Sequence, residues 1–211
     1  MTSEDRQAQG VRDVTLATAG DLTIALGDQE SLRIEAEDNL LPYLETRVSG
    51  GALTIGTRPN TSLHPTRSIR YVLTVKDLEA LSISSSGNIS APALQVDHLT
   101  ARISSSGNIR LDGLNADSLQ VRITSNGNVE INGGEVKQQS VTVTSSGQYK
   151  GSGLRSQTAD VHLTSSGGAT LWVTDSLNAE LTSSGDMGYY GRPAISQRMS
   201  SSGRIISLGD K

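Results

Sequence analysis

From residue 81 onward, apolar and polar residues alternate around a short phrase that keeps returning. It reads SSSGN at 84–88 and 104–108, TSNGN at 124–128, TSSGQ at 144–148, TSSGG at 164–168, TSSGD at 182–186 and SSSGR at 200–204. Its glycines, Gly87, Gly107, Gly127, Gly147, Gly167, Gly185 and Gly203, are separated by 20, 20, 20, 20, 18 and 18 residues. Six and four residues before each glycine stand Leu81/Ile83, Ala101/Ile103, Val121/Ile123, Val141/Val143, Val161/Leu163, Ala179/Leu181 and Gln197/Met199. Two residues after it stand Ile89, Ile109, Val129, Tyr149, Ala169, Met187 and Ile205. The positions between are mostly polar, the period of two expected of strands with one buried face.

Each unit therefore reads as strand, turn, strand and corner, with Leu94, Leu114 and Leu154 recurring seven residues after the glycine. A unit of this size cannot bury its own apolar face, but stacked units can. The pattern predicts an all-β fold, a parallel β-helix or β-solenoid of about seven coils of 18 to 20 residues. Equivalent strands would lie about 4.8 Å apart. The glycines are structural turn residues, needed where φ is positive or where the backbone passes close to its neighbour. The preceding Ser and Thr are suited to bonding turn backbone groups and stacking into ladders.

Residues 11–80 lack the phrase but keep β patterning in VTLATAGDLTIALG, SLRIEA, GALTIGT and IRYVLTV. Turn signals stand at Gly20-Asp21, Gly27-Asp28, Gly50-Gly51 and Arg58-Pro59-Asn60. LTIALGDQESLRIEA resembles a hairpin. We expect 11–80 to be an irregular β region that continues the sheets and covers the first coil, with regular repeats over 81–207, all in one domain spanning 11–211. Residues 1–10 read as a disordered tail. The closing RIISLGDK suits a cap or a subunit contact.

Composition agrees with many short strands and tight turns: 22 Gly, no Phe and 35% hydrophobic residues among 211. A net charge of −4, with both signs interspersed, gives no basic stripe for nucleic acid. With no Cys, disulfides and thiolate metal sites are excluded. No apolar run reaches the roughly 20 residues of a membrane span. The polar start MTSEDRQAQG has no signal-peptide core, and equally suits a chain from which an export signal has been removed.

Motifs that carry chemistry are sparse. His64, His98 and His162 have no metal-ligand spacing, and only Asp186 among the residues that follow the turn glycines is a carboxylate, unlike a calcium β-roll. No metal or cofactor is implied. The GSG at 151–153 lacks the base and elbow of a serine hydrolase. Asp112, Glu130, Asp160 and Glu180 fall at different places on their coils and read as solvated surface. A polysaccharide-cleaving enzyme would instead bring two such acids together in one groove. Arg110, Glu130 and Lys150 form an alternating charge ladder of weak surface pairs.

The better binding candidates are Trp172 and Tyr190. Both stand five residues after a turn glycine, an outward position, so they should be neighbours on adjacent coils. Such a pair can stack on a sugar ring or anchor a subunit interface, unless a local bend or the C-terminal segment buries it.

SLRIEAEDNLLPYLETRVSGGALTIGT, LTVKDLEALSISSSGNI, the serial SSGN and SSGD turns, and GDMGYYGRPAIS before a last SSGR together carry a resemblance. Over residues 11–209 the chain resembles the bacterial family called putative auto-transporter adhesin, head GIN domain. The usual turn of that family is closer to GSGD. The resemblance implies a β-solenoid and an exported, periplasmic or cell-surface location, and brings no catalytic residues. The sequence thus points to a non-enzymatic, adhesin-like envelope module that binds a surface glycan or protein. The alternatives are an oligomerising scaffold, in which a homo-oligomer buries the Trp172/Tyr190 face or the C-terminal end, and, less favoured, a polysaccharide-active enzyme.

Overall fold

The alternating segments form strands. The N-terminal region supplies β1 (Thr2–Arg6), β2 (Asp13–Leu16), β3 (Asp21–Leu26), β4 (Ser31–Ala36), β5 (Leu44–Ser49), β6 (Ala52–Thr57) and β7 (Arg70–Val75). The repeats supply β8 (Ala80–Ile83), β9 (Asn88–Gln95), β10 (His98–Ile103), β11 (Asn108–Ile123), β12 (Asn128–Ile131) and β13 (Gly134–Val143). They end with β14 (Gln148–Leu163), β15 (Gly168–Leu181), β16 (Asp186–Tyr190), β17 (Ala194–Met199) and β18 (Arg204–Ser207). This computed structural model describes every residue except Ser183 and Ser201, turn serines of the last two phrase copies, so their part in any serine ladder lies outside the described residues. Among the described residues there is no α-helix, only a 3-10 turn at Leu41–Tyr43.

All 18 strands join one sheet, wound into a β-solenoid of about six turns, close to the seven read from the repeats. Each repeat strand pairs in parallel with its equivalent one coil along. Leu81, Ala101, Val121, Val141, Val161 and Ala179 thereby form one inward column, none more than 1% exposed. Ile89, Ile109, Val129, Tyr149, Ala169 and Met187 form another. Each such Leu or Ile contributes about 1.5–3 kcal/mol by burial. A short third side carries Leu94 opposite Leu114.

The N-terminal region continues these columns in an order different from that of the chain. β2 and β3 make a coil against β8 and β9, while β6 and β7, later in sequence, stack on its outer side. Val14 thus lies between Leu53 and Leu81, and Leu22 between Tyr71 and Ile89. Antiparallel strands then close this end: β5 covers β6, β4 covers β7 and β1 covers β4. An open parallel edge, a template for further pairing, is thereby occupied.

Two sequence expectations fail here. LTIALGDQESLRIEA is not a hairpin, because β7 lies between β3 and β4, with Leu73 opposite Ile24 on one side and Leu32 on the other. Both edges of β3 are taken by β7 and β9. Two strand spacings are about 10 Å, within the roughly 13 Å reach of the four residues at 27–30. Nor are residues 1–10 a disordered tail. The backbone of β1 pairs with β4, Arg6 donates to the Leu44 carbonyl at 3.3 Å, and Ala8 is buried. An outermost strand needs no apolar face, which is why TSEDR is polar.

The turns explain the repeated phrase. Gly87, Gly107, Gly127, Gly147, Gly167 and Gly185 are absent from the positive-φ residues, and a Cβ on each would meet another atom at 2.6 Å or less, so of the two reasons for glycine, close approach is the operative one at these six. A Cβ on Gly107 would lie 2.1 Å from the Gly87 carbonyl oxygen. The hydroxyls of Ser104 and Thr124 reach the Ile83 and Ile103 carbonyls of the preceding coil, each at 3.4 Å, rather than their own turns.

The shortening of the step from 20 to 18 is also visible. Gly151 pairs with Leu171, but Arg155 pairs with Trp172, so Ser152, Gly153 and Leu154 have no counterparts in β15. One residue is regained where Ser156 pairs with Val173 and Thr158 with Ser176. The lost corner sets Trp172 opposite Arg155 rather than Ser152.

Candidate functional site

Trp172 and Tyr190 are register partners on β15 and β16, as the shared offset from their turn glycines required, and both are half-buried. The C-terminal residues add one more rung beside them. Leu208 N donates to the Tyr189 carbonyl at 2.8 Å and Gly191 N to the Gly209 carbonyl at 2.9 Å. Arg192 grips Asp210 through Nε at 2.9 Å and Nη2 at 2.5 Å. Gly191 is required here: its φ is +97°, and a Cβ would lie 2.1 Å from the Val173 carbonyl oxygen.

This rung carries Lys211 over the aromatic pair. Its ammonium stands 5.7 Å from the Trp172 ring centroid and 4.7 Å from that of Tyr190, and donates to the Ser152 carbonyl. The C-terminal segment therefore does cover the pair in part. What remains is an indole and a phenol side by side with a cation above both, worth about 0.5–1 kcal/mol per exposed cation–π contact. Such a surface can stack on a sugar ring or accept another cation in place of Lys211.

Behind Trp172 runs a buried polar chain that sequence reasoning did not identify. The Tyr149 hydroxyl donates to Gln139 Oε1 at 2.8 Å, Gln139 Nε2 donates to Ser156 Oγ at 2.6 Å, and Ser156 Oγ donates to the Trp172 carbonyl at 3.0 Å. Gln139 and Ser156 are fully buried. Gln139 interrupts the column Leu99, Leu119, Gln139, Ala159, Leu177, and that polar residue at an inward position was the available signal. The Tyr149 ring occupies space left by Gly151, whose Cβ would lie 2.4 Å from the hydroxyl. Burial pushes the Tyr149 hydroxyl well above the ordinary phenol range. The chain bridges the solenoid interior and fixes the backbone at Trp172.

The other candidates are separated. Arg110 pairs with Glu130 at 3.0 Å, and Lys150 takes the next register position. Asp112 lies 3.9 Å from the same Arg110. Asp160 accepts from Asn178 at 3.2 Å, and Glu180 faces His162 at 3.2 Å. His98 contacts Ser118 at 2.8 Å and His64 is exposed. Among the described residues no three His, Cys, Asp or Glu side chains group as metal ligands, and no helix is long and apolar enough to cross a membrane.

Solved structures share the whole architecture. A putative lipid binding protein from Parabacteroides distasonis ATCC 8503 is 24% identical, with a TM-score of 0.83 over 98% of this chain and 96% of its own. A putative adhesin from Bacteroides fragilis NCTC 9343 is 18% identical, with a TM-score of 0.90 over 100% of this chain and 96% of its own. No curated protein matches. The family model named putative auto-transporter adhesin, head GIN domain, matches residues 12–193, from β2 through the Gly191-Arg192-Pro193 segment that seats the last rung, and the chain belongs to that family.

Proposed function

We propose that this chain is an exported, adhesin-like module of the bacterial cell envelope, non-enzymatic, which recognises a surface glycan or protein through Trp172 and Tyr190. The observation that carries this reading is the register pairing of the only Trp with a Tyr, half-exposed, in a chain with 3% aromatic residues. Solvent-facing aromatics of this kind are common anchors for sugars and partner proteins. The family name and the adhesin name of the Bacteroides fragilis structure support a surface role. The lipid-binding name of the Parabacteroides distasonis structure has less support from this chain, whose interior is filled by columns of packed side chains.

A second reading, an oligomerising scaffold, is favoured by one observation. The last coil continues the core columns with Ile195 and Met199, yet these are 41% and 47% exposed. The parallel stack is covered by antiparallel strands at the N-terminal end, whereas among the described residues β17 and β18 pair on one side only, with β15 and β16.

Analytical ultracentrifugation of wild type and Trp172→Ala, followed by a glycan array on both, separates the two. A wild-type monomer that binds glycans only with Trp172 present supports recognition. A wild-type oligomer dissociated by Trp172→Ala supports the scaffold.

A further inference from the structure

Five residues before the turn glycines, on the outward side, Arg102 and Arg122 are register partners on β10 and β11. Both are exposed, and strand spacing holds their backbones about 4.8 Å apart. Like charges directly opposite on neighbouring strands are destabilising. Several arginines pair with an acid on a neighbouring coil, Arg110 with Glu130, Arg155 with Glu135 and Arg204 with Asp186. Of the strand arginines that make no ion pair among the described residues, only Arg102 and Arg122 face each other in register. Arg102 and Arg122 take part in no ion pair among the described residues. The next rungs of their column are Ser82 and Thr142, and the column beside them, toward the turn, is Ser104 and Thr124. A shallow groove of about 220 Å³ runs along the Arg102 and Arg122 side chains; its wall is mainly carbon, with Ser82, Ser84, Ser104 and Thr124 along it and the strand segments at the buried Ile83 and Ile103 beneath.

We propose that Arg102 and Arg122 form a binding site for the acid groups of an anionic polysaccharide. A guanidinium presents a planar fork that takes a carboxylate or sulfate ester through two hydrogen bonds. The flanking hydroxyls can exchange hydrogen bonds with sugar hydroxyls, and the flat parallel sheet lets an extended chain lie along the rungs. The patch has no aromatic side chain on which a nucleic-acid base could stack, and its two charges are too few for phosphate-backbone tracking. The site lies on β10 and β11, away from Trp172 and Tyr190 on β15 and β16, so the two readings stand or fall separately.

Biolayer interferometry of the full chain on immobilised polygalacturonate, dextran sulfate and neutral dextran tests the proposal. Wild type is expected to bind at least one polyanion and not dextran; the preferred polymer distinguishes carboxylate from sulfate ester. Arg102→Gln and Arg122→Gln should each weaken binding at least about tenfold, with Tm unchanged or raised as the repulsion is relieved. Lys76→Gln, with the same charge change at an exposed site elsewhere, should bind as wild type does. The proposal is overturned if the double arginine variant binds as well as wild type, if Lys76→Gln loses as much, if neither polyanion binds, or if inorganic sulfate at matched sulfate concentration competes completely.

Discussion

Asn88 donates its side-chain amide to Asp21 Oδ1 at 2.9 Å, and the bond is the end of a ladder. Asn108 donates to Asn88 at 2.9 Å and Asn128 to Asn108 at 2.8 Å, so three amides point the same way toward one carboxylate. Aligned amides polarise one another and favour a charged acceptor at the end. The Asn88 amide, then the Ser68 hydroxyl bonded at 2.6 Å, and the charge of Arg70 hold the Asp21 carboxyl below its ordinary value.

A pH dependence follows. Because the folded pKa is depressed, the unfolded state binds the proton more readily, and Asp21 stabilises the fold above its unfolded value of 3.8. That contribution disappears as pH falls through the lower folded value. Asp21 is largely solvent-exposed, so the effect is about 0.5–1 kcal/mol. Asp21→Ala should lower stability to urea by that amount at pH 7, with the difference from wild type closing below the folded pKa. A difference that stays constant from pH 7 to 2 would remove the carboxylate from the explanation.

Turn glycines should tolerate substitution according to what lies beyond the missing Cβ. At Gly107 the obstacle is a backbone carbonyl at 2.1 Å in the preceding coil, while at Gly133 the nearest atom is 3.6 Å away. Gly107→Ala should cost about 2–3 kcal/mol, as overpacking against backbone does, and Gly133→Ala under about 0.5 kcal/mol. Denaturant midpoints of the two variants check this, and equal values would contradict the close-approach account.

The coil register was legible in the sequence because one period places every equivalent residue on the same column; that is how Trp172 and Tyr190 could be paired from their offsets alone. The order of the N-terminal coils was not legible. Nothing local in β3 or β4 records that a strand 40 residues later will enter between them, since strand patterning specifies a buried face and not a partner. The placement of Lys211 was equally hidden, because it depends on Arg192 meeting Asp210 across coils.

The buried chain behind Trp172 should behave as a unit. Tyr149→Phe strands Gln139 Oε1 in the interior, and Gln139→Leu strands the Tyr149 hydroxyl and removes the donor to Ser156. Each should destabilise by about 1–3 kcal/mol. The double variant, which restores a leucine to the column Leu119 to Leu177, should lose clearly less than the sum of the two. Urea denaturation around this double-mutant cycle measures the coupling, and strict additivity would mean that the hydrogen bonds do not act together.

Trp172 is the only tryptophan, so its fluorescence reports directly on the contact with Lys211. The ammonium and its stem shield one side of the indole, and Asp210 holds that rung in place through Arg192. Lys211→Ala should therefore increase quenching of Trp172 by acrylamide, with a loss of stability of less than about 1 kcal/mol. Arg192→Gln should produce the same increase without touching the ring pair, because it releases the rung that positions the ammonium. If Lys211→Ala raises quenching and Arg192→Gln does not, Lys211 finds the rings unaided. If neither does, the cation does not cover the indole in solution, and the aromatic pair is fully open to a ligand.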